Sequence, residues 1–367
     1  FFSMIVSSGY LRASFAAALR RHIRESRAIL EFVDFGGLAI FEDAKDTYVS
    51  IPLFARQTQP EDVSVCKIKT LEHLDLSSCI AGDSYKIPVK RLIGEAWSLD
   101  SEAKISTFNK IKRLGIPLDV YVNKGIYYGI KTGLNEAFFI DAEIRNELVA
   151  KDARSAELIK PLVKGQDIRR WYIDYKDQWI IFPRRGIDID AYPVIRDYLA
   201  QWKEDLTPKN SRQQKRGRKP GRYKWYEIQD DVAYYSVFDQ VKIVFPDIAK
   251  GPRFHLDESG SYLTNTAYAL GTDDLYLLGI LNSSVFWFAI GSISTPFGTR
   301  AGEYRYRLIY QYMRQLPIRP INFSDPADKS RHDRMVGYVE QMLDLNKRLA
   351  AAKTAHEKTT LERQITA

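Results

Sequence analysis

The sixteen residues from Lys209 to Lys224 constrain this chain most, because a run so charged is expected as a solvated arm between packed segments. The run carries Lys209, Arg212, Lys215, Arg216, Arg218, Lys219, Arg222 and Lys224, eight positive charges with no Asp or Glu among them. The chain has 54 basic and 46 acidic residues, so subtracting the eight leaves 46 against 46, and the whole net charge of +8 sits in this one segment. Charge concentrated in this way suits an array of phosphates better than a small anion. A solvated, disordered loop is the plainer reading of a charge run. Gly217, Pro220 and Gly221 make the run a flexible arm, and Tyr223, Trp225 and Tyr226 follow it at once, which favours nucleic-acid contact.

A chain of 367 residues has room for two or three domains, and 45% hydrophobic with 13% aromatic residues supplies their cores. Cys66 and Cys79 are the only cysteines, with no His cluster nearby, so neither a zinc site nor a disulfide framework is suggested and a reducing cytoplasm is the expected setting. No apolar run approaches the roughly 20 residues needed to cross a bilayer, so no membrane partner is expected. The opening FFSMIVSSGY has no initiator Met and starts inside a strand-like run, which predicts a missing preceding part.

Phe1 to Ser7 reads as a buried parallel strand, Ser14 opens a basic amphipathic helix, and Ile29–Phe35 and Thr47–Phe54 are two further strands. This is the end of an α/β sheet, covering residues 1–56. Residues 57–120 read as a connecting region with short strands and a helix from Ser101 to Leu114. In GIYYGIKTGLNEAFFI, three glycines punctuate β-prone residues, and Thr132 and Asn135 offer short polar side chains at the turn. KPLVKGQDIRRWYIDY is a turn bearing Lys164, Arg169 and Arg170 before an aromatic strand, and Gln240–Asp247 is a central strand. Arg253–Leu256 and Tyr262–Thr266 read as a hairpin, and Leu275–Ile290 as a helix interrupted at Asn282. Arg300, Arg305 and Arg307 interleave with Tyr304, Tyr306 and Tyr310, which suits either a sugar-phosphate backbone or packing against the helix behind. From Asp333 the spacing predicts a long amphipathic helix or a helical hairpin, in a C-terminal segment 326–367.

FFSMIVSSGYLRASFAAALRRHI, ILEFVDFGGLAIFEDA and TYVSIPLFAR resemble the last three strands of the catalytic domain of Taq-type N6-adenine DNA methyltransferases, including fused restriction-modification and phage-exclusion enzymes. GIKTGLNEAFFI, IKPLVKGQDIRRWYIDY, WYEI, KIVFPDI, LLGILNSSVFWF and MRQLPI resemble, in order, segments of that family's target-recognition domain. The resemblance implies the end of a Rossmann-like methyltransferase sheet, then a mixed α+β target-recognition domain over 121–325, then C-terminal helices. The glycine-rich cofactor loop and the Asn-Pro-Pro-aromatic motif are absent, so S-adenosylmethionine is expected to serve the full-length enzyme and not to bind this chain, which is expected to be inactive alone.

Carried over from the family, Phe41 in IFEDA holds the place of the aromatic side chain that stacks on the flipped adenine. Contacts to duplex DNA are expected from Thr132, Asn135, Lys164, Arg169, the eight charges of the run, Trp225, Arg300 and Arg305. No residue is expected to bind metal or to be catalytic. The resemblance thus implies site-specific DNA recognition within an adenine methyltransferase; the other reading is a non-catalytic module that grips RNA or protein with the same arm.

Overall fold

The computed structural model describes all residues except 12, 45–46, 94–96, 212–213, 295, 301–302 and 367, and leaves the side chains at 14, 44, 297–300 and 303 undescribed. The chain forms two compact units, Phe1–Leu114 with Ser294–Arg307, and Gly115–Ile293 with Leu308–Ala367.

In the first unit the elements run β1 (Phe2–Ser3), β2 (Val6–Ser7), α1 (Ala17–Ser26), β3 (Ala28–Gly36), β4 (Val49–Ala55), β5 (Asp62–Lys67), α2 (Leu76–Asp83), β6 (Tyr85–Pro88) and α3 (Glu102–Leu114). They build a six-stranded sheet of order β1-β4-β3-β5-β6, with β2 also on β4. Strand β3 is antiparallel to β4 and parallel to β5. Both faces are covered: Ile29 and Phe32 pack with Val63, Val65, Ile87 and Trp97, while Val33 and Phe35 pack with Val49, Cys66 and Ile68. Burial on two faces is why ILEFVDF is nearly continuously apolar. Each such side chain contributes about 1.5–3 kcal/mol.

Two expectations are corrected here. Phe1–Ser7 is not a buried parallel strand: β1 and β2 are two-residue antiparallel pairings to β4. Because β1 lies at the sheet edge with one neighbour, Phe1 and Phe2 stay 92% and 55% exposed. The boundary placed after Arg56 falls inside the sheet, since β5 and β6 belong to it. Strand β5 is only six residues long, and the polar residues on either side of it hid its period.

The second unit holds β7 (Ile126–Tyr128), β8 (Phe139–Asp141), β9 (Ile159–Val163), β10 (Gln178–Ile181), α4 (Pro193–Ala200), β11 (Lys242–Pro246), β12 (His255–Asp257), β13 (Tyr262–Leu263), β14 (Ala267–Leu270), α5 (Leu275–Leu281), α6 (Ser284–Ile293), α7 (Pro326–Ala351) and α8 (Ala355–Thr366). Two four-stranded sheets, β13-β9-β10-β8 and β12-β11-β14-β7, share one core that includes Phe138, Leu162, Ile180, Val244 and Ala269. Strand β11 is wholly buried, Lys242 included. The Lys242 ammonium donates to Asp257 Oδ2 at 2.7 Å and to the Phe238 carbonyl at 2.6 Å, and Asp257 accepts in turn from the Ser259 and Ser261 amides. A buried pair satisfied in this way is tolerated, whereas either member alone would be an uncompensated charge.

The expected hairpin over 253–266 does not form. Strand β12 pairs with β11, and β13 joins β9 in the other sheet. Asp257 fixes the turn that carries the chain across, with Gly260 at φ +69. The interruption at Asn282 is present: the Asn282 amide exchanges hydrogen bonds with the Phe254 backbone (3.0 and 3.2 Å), and α5 and α6 meet at 63°. No single described helix is long and apolar enough to cross a membrane. The apolar residues Leu277, Leu278, Leu281, Phe286 and Ile290 of the bent pair are buried, and Gly279 lies against Met335 and Val339 of α7.

Asp100 ties α3 to β5. Lys67 and Lys104 each place Nζ 2.9 Å from Asp100 Oδ1. Burial alone would raise the carboxyl, but Lys67 and then Lys104 outweigh it and hold Asp100 at about 2. A depressed carboxylate stabilises the fold above its unfolded value of 3.8, and that stabilisation is lost as pH falls toward 2. Asp100→Asn should therefore cost about 2 kcal/mol in urea unfolding at neutral pH. The gap from the unaltered chain should close as pH falls from 4 to 2, and a gap independent of pH would contradict the assignment.

Candidate nucleic-acid interface

The polycationic run is anchored at its base rather than loose. Arg218 N donates to Thr207 O at 3.1 Å and Lys209 N to Arg218 O at 3.0 Å. Gly217 is required between them, because φ is +107 and a Cβ there would come within 2.5 Å of the Thr207 carbonyl oxygen.

Arg218 is the largest departure from the sequence reading. Instead of facing phosphate it is 3% exposed. Its guanidinium donates to the carbonyls of Leu206 (Nε, 2.7 Å), Thr132 (Nη1, 2.7 Å) and Trp225 (Nη2, 2.9 Å), and lies over the Tyr223 and Phe138 rings at 4.7 and 5.5 Å. Burial pushes it down to about 10, so it remains charged at neutral pH. A planar fork of five donors can join three separate backbone segments, two loops and a helix end, which a lysine cannot.

The loops joined by Arg218 contain other residues expected in the interface. Thr132 is 0% exposed; its hydroxyl donates to Asn135 Oδ1 at 2.8 Å and accepts from Leu134 N at 3.2 Å, so it builds the turn instead of reaching a ligand. Gly133 at φ +85 sits where a Cβ would meet Gln229 and Arg218. Asn135 is exposed at the start of the short helix Asn135–Phe138, and Trp225 is half-buried beneath Lys203 Nζ. Arg216 is also withdrawn from the free charges: it forks onto Asp205 (2.6 and 2.9 Å) and pairs with Glu204. Lys215, Lys219 and Arg222 are exposed and form no ion pair among the described residues. Lys224 is exposed beside the Tyr226 ring, and Lys209 is half-buried. Arg212 lies outside the described residues.

A second turn lies beside the first. The backbones at Gly129 and Gly165 both press on the segment 264–266: a Cβ at Gly129 would fall 1.9 Å from Thr264 O, and one at Gly165 2.0 Å from Thr266 O. Ile130 N donates to Leu263 O and Gly165 N to Thr266 Oγ1. Lys164 is half-buried on this turn, and Arg169 is partly engaged by Asp174 at 3.7 Å and by the Gln166 and Ile168 carbonyls.

In the first unit, Phe41 is 44% exposed in the link between β3 and β4, so it is not a core residue. The hairpin Pro296–Arg300/Glu303–Arg307 meets the start of this link. Gly37 N donates to the Tyr304 hydroxyl at 3.0 Å, the Tyr304 ring stacks on Tyr48 at 6.0 Å, and a Cβ at Gly36 would fall 1.7 Å from that hydroxyl. Tyr304 therefore packs here, and Arg305 beside it is half-buried. The Arg300 side chain lies outside those described.

Sequence reasoning missed two organisers. Arg185 donates to the carbonyls of Gln229 (2.7 Å) and Arg222 (3.2 Å), and Glu227 accepts from the amides of Lys224 and Gly186. Their partners are backbone groups, which leave no mark in a sequence.

Comparison with known proteins shows what the chain is similar to. The chain is 22% identical over 375 residues to the type II restriction enzyme and methyltransferase RM.Eco57I of Escherichia coli, covering 90% of this chain and 36% of that protein. Its fold matches the type IIL restriction-modification enzyme MmeI, solved in complex with DNA, with TM-score 0.54 and 13% identity over 99% of this chain and 45% of that one. The type IIG restriction endonuclease BpuSI aligns at TM-score 0.43 and 14% identity over 98% of this chain and 46% of that one, too distant to carry an argument. The chain thus spans less than half the length of these relatives. Residues 160–318 match the family model of the TaqI-like C-terminal specificity domain.

Proposed function

We propose that this chain recognises duplex DNA as the specificity part of a site-specific adenine-N6 DNA methyltransferase of a restriction-modification or phage-defence system, acting in the cytoplasm. The family match over 160–318 carries the reading, because that stretch holds the run, Arg218 and two of the three segments joined to it, at Leu206 and Trp225. The six-stranded sheet of the first unit is the end of a Rossmann-like catalytic domain whose remainder belongs to a longer protein. S-adenosylmethionine is that protein's methyl donor, and the residues described here serve the other substrate.

In this reading the run has two jobs divided by exposure. Lys215, Lys219, Arg222 and Lys224 contact phosphates and supply affinity that depends on salt and not on sequence. Asn135 is exposed on a turn that Arg218 holds rigid, and with Oδ1 already accepting from Thr132 its Nδ2 group can donate to a base edge. Phe41 offers an open ring to an adenine taken out of the duplex, offsetting part of the few kcal/mol of lost stacking.

Competition between duplexes of varied sequence and RNA of equal length tests the assignment. A strong preference for one short duplex motif is expected, and equal retention of RNA would instead support a general RNA-binding module. Replacing Lys215, Lys219, Arg222 and Lys224 with Gln should weaken binding to every duplex alike and flatten the salt dependence by up to about 0.9 log units per lost phosphate contact, with the melting temperature unchanged. Arg218→Gln should behave differently, costing about 3 kcal/mol of stability in thermal unfolding because buried carbonyls lose their donors.

Phe41→Ala in the longer methyltransferase should slow methylation by removing a stacking contact of roughly 1–3 kcal/mol while leaving duplex affinity largely intact. A target-base analogue that fluoresces when unstacked should be brighter in the Ala variant and quenched in Phe41→Trp. Unchanged fluorescence in both would remove Phe41 from the base pocket.

A further inference from the structure

The turn from Ile168 to Ile173 holds a strained residue. It closes on itself, with Arg169 N donating to Tyr172 O at 2.9 Å. Trp171 within it has φ +76, a left-handed conformation that a bulky aromatic residue adopts only when its surroundings impose it. The neighbouring segment imposes it here: Trp171 N donates to Phe254 O at 3.1 Å, the Trp171 carbonyl lies 2.8 Å from His255 Nδ1, and the side chain is 7% exposed.

This joint brings Arg253 near Arg169, with Arg170 next to it in the chain. Trp171 and Phe254 are hydrogen-bonded neighbours, so Arg170 and Arg253, the residues before each, leave adjacent points of the backbone, with Arg169 next in line. Arg170 is exposed and Arg253 half-buried. Desolvation pushes both guanidinium groups below the ordinary arginine range, and Arg169 pushes Arg253 further the same way. The neighbouring acid is already committed, since Asp174 faces Arg169 at 3.7 Å and Lys176 at 2.8 Å. Arg170 lies over the Trp171 ring at 5.5 Å, and neither Arg170 nor Arg253 has a carboxylate partner among the described residues. Arg170 is partly desolvated, and Arg253 is partly desolvated beside the like charge of Arg169; each raises the energy of the fold that holds it, and a bound anion relieves these penalties. Exposed Tyr172 lies in the same turn.

We propose that Arg170 and Arg253, with Arg169, form an anion site that grips a phosphodiester of the nucleic-acid backbone, separate from the polycationic run. The site deepens the DNA-recognition reading and rests on it. Its geometry is set in advance by the strained joint and not by density of charge.

The test is the salt dependence of duplex binding by the full chain and by its Arg170→Gln/Arg253→Gln variant. The variant should lose about 0.9 log units of slope per lost contact, alike for all sequences. Its melting temperature should hold or rise, because the repulsion is removed. Arg170→Lys/Arg253→Lys should keep most of the slope, since the charge is retained. If the double Gln variant fails to fold, each single Gln variant decides the matter, with a loss about half as large expected. Duplex binding with an unchanged slope in the folded Gln variants overturns this site and leaves the DNA-recognition reading standing. Failure of the unaltered chain to bind any duplex overturns both.

Discussion

One buried guanidinium holds the loops of the second unit in place. Thr132 and Trp225 lie in irregular backbone and Leu206 ends the short helix Lys203–Leu206, and among the described residues no sheet ladder connects them. Arg218 replaces that ladder with three short hydrogen bonds and two aromatic faces. Removing the group would leave buried carbonyls without donors in a region where water cannot easily follow, so positions some distance apart in sequence would loosen together.

The same chemistry therefore does opposite things within a few residues of chain. Arg218 is withdrawn into the fold, Arg216 is neutralised by Asp205 and Glu204, and Lys215, Lys219 and Arg222 remain in water. Net charge counts all of them alike. Local counter-ions and burial decide which are available to a polyanion, and only the available ones should appear in a salt slope. Tyr304 shows the parallel division among aromatic residues: its place in a basic-aromatic interleave left ligand contact and packing both open, and its hydroxyl meets Gly37 while its ring stacks on Tyr48.

Much of the fold was legible because long apolar runs have one physical meaning. Ile29–Phe35 and the core of Gln240–Asp247 are buried strands, and the helix break at Asn282 lies where a polar residue interrupts a run of apolar ones. Short strands were less legible. Residues 62–67 contribute to the sheet with too few side chains to show a period, and 253–266 looked like a hairpin because sequence gives two neighbouring strands without saying which sheet each joins. The candidate site was legible as a region and not as roles. Thr132 and Arg218 were expected to face a ligand, and both instead serve backbone whose hydrogen-bonding needs no sequence records.

The hairpin from Ser294 to Arg307 belongs to the first unit although the residues on both sides of it belong to the second. The polypeptide thus passes between the units three times, after Leu114, after Ile293 and after Arg307. Exchanging the second unit between related chains is accordingly not a single splice. A transplant cut only near Leu114 would carry a foreign hairpin to the host's Gly36–Gly37 turn, where Tyr304 must fit against a residue without a Cβ. A chimera that keeps the host's own 294–307 segment, with seams on either side of it, respects the way the chain is woven.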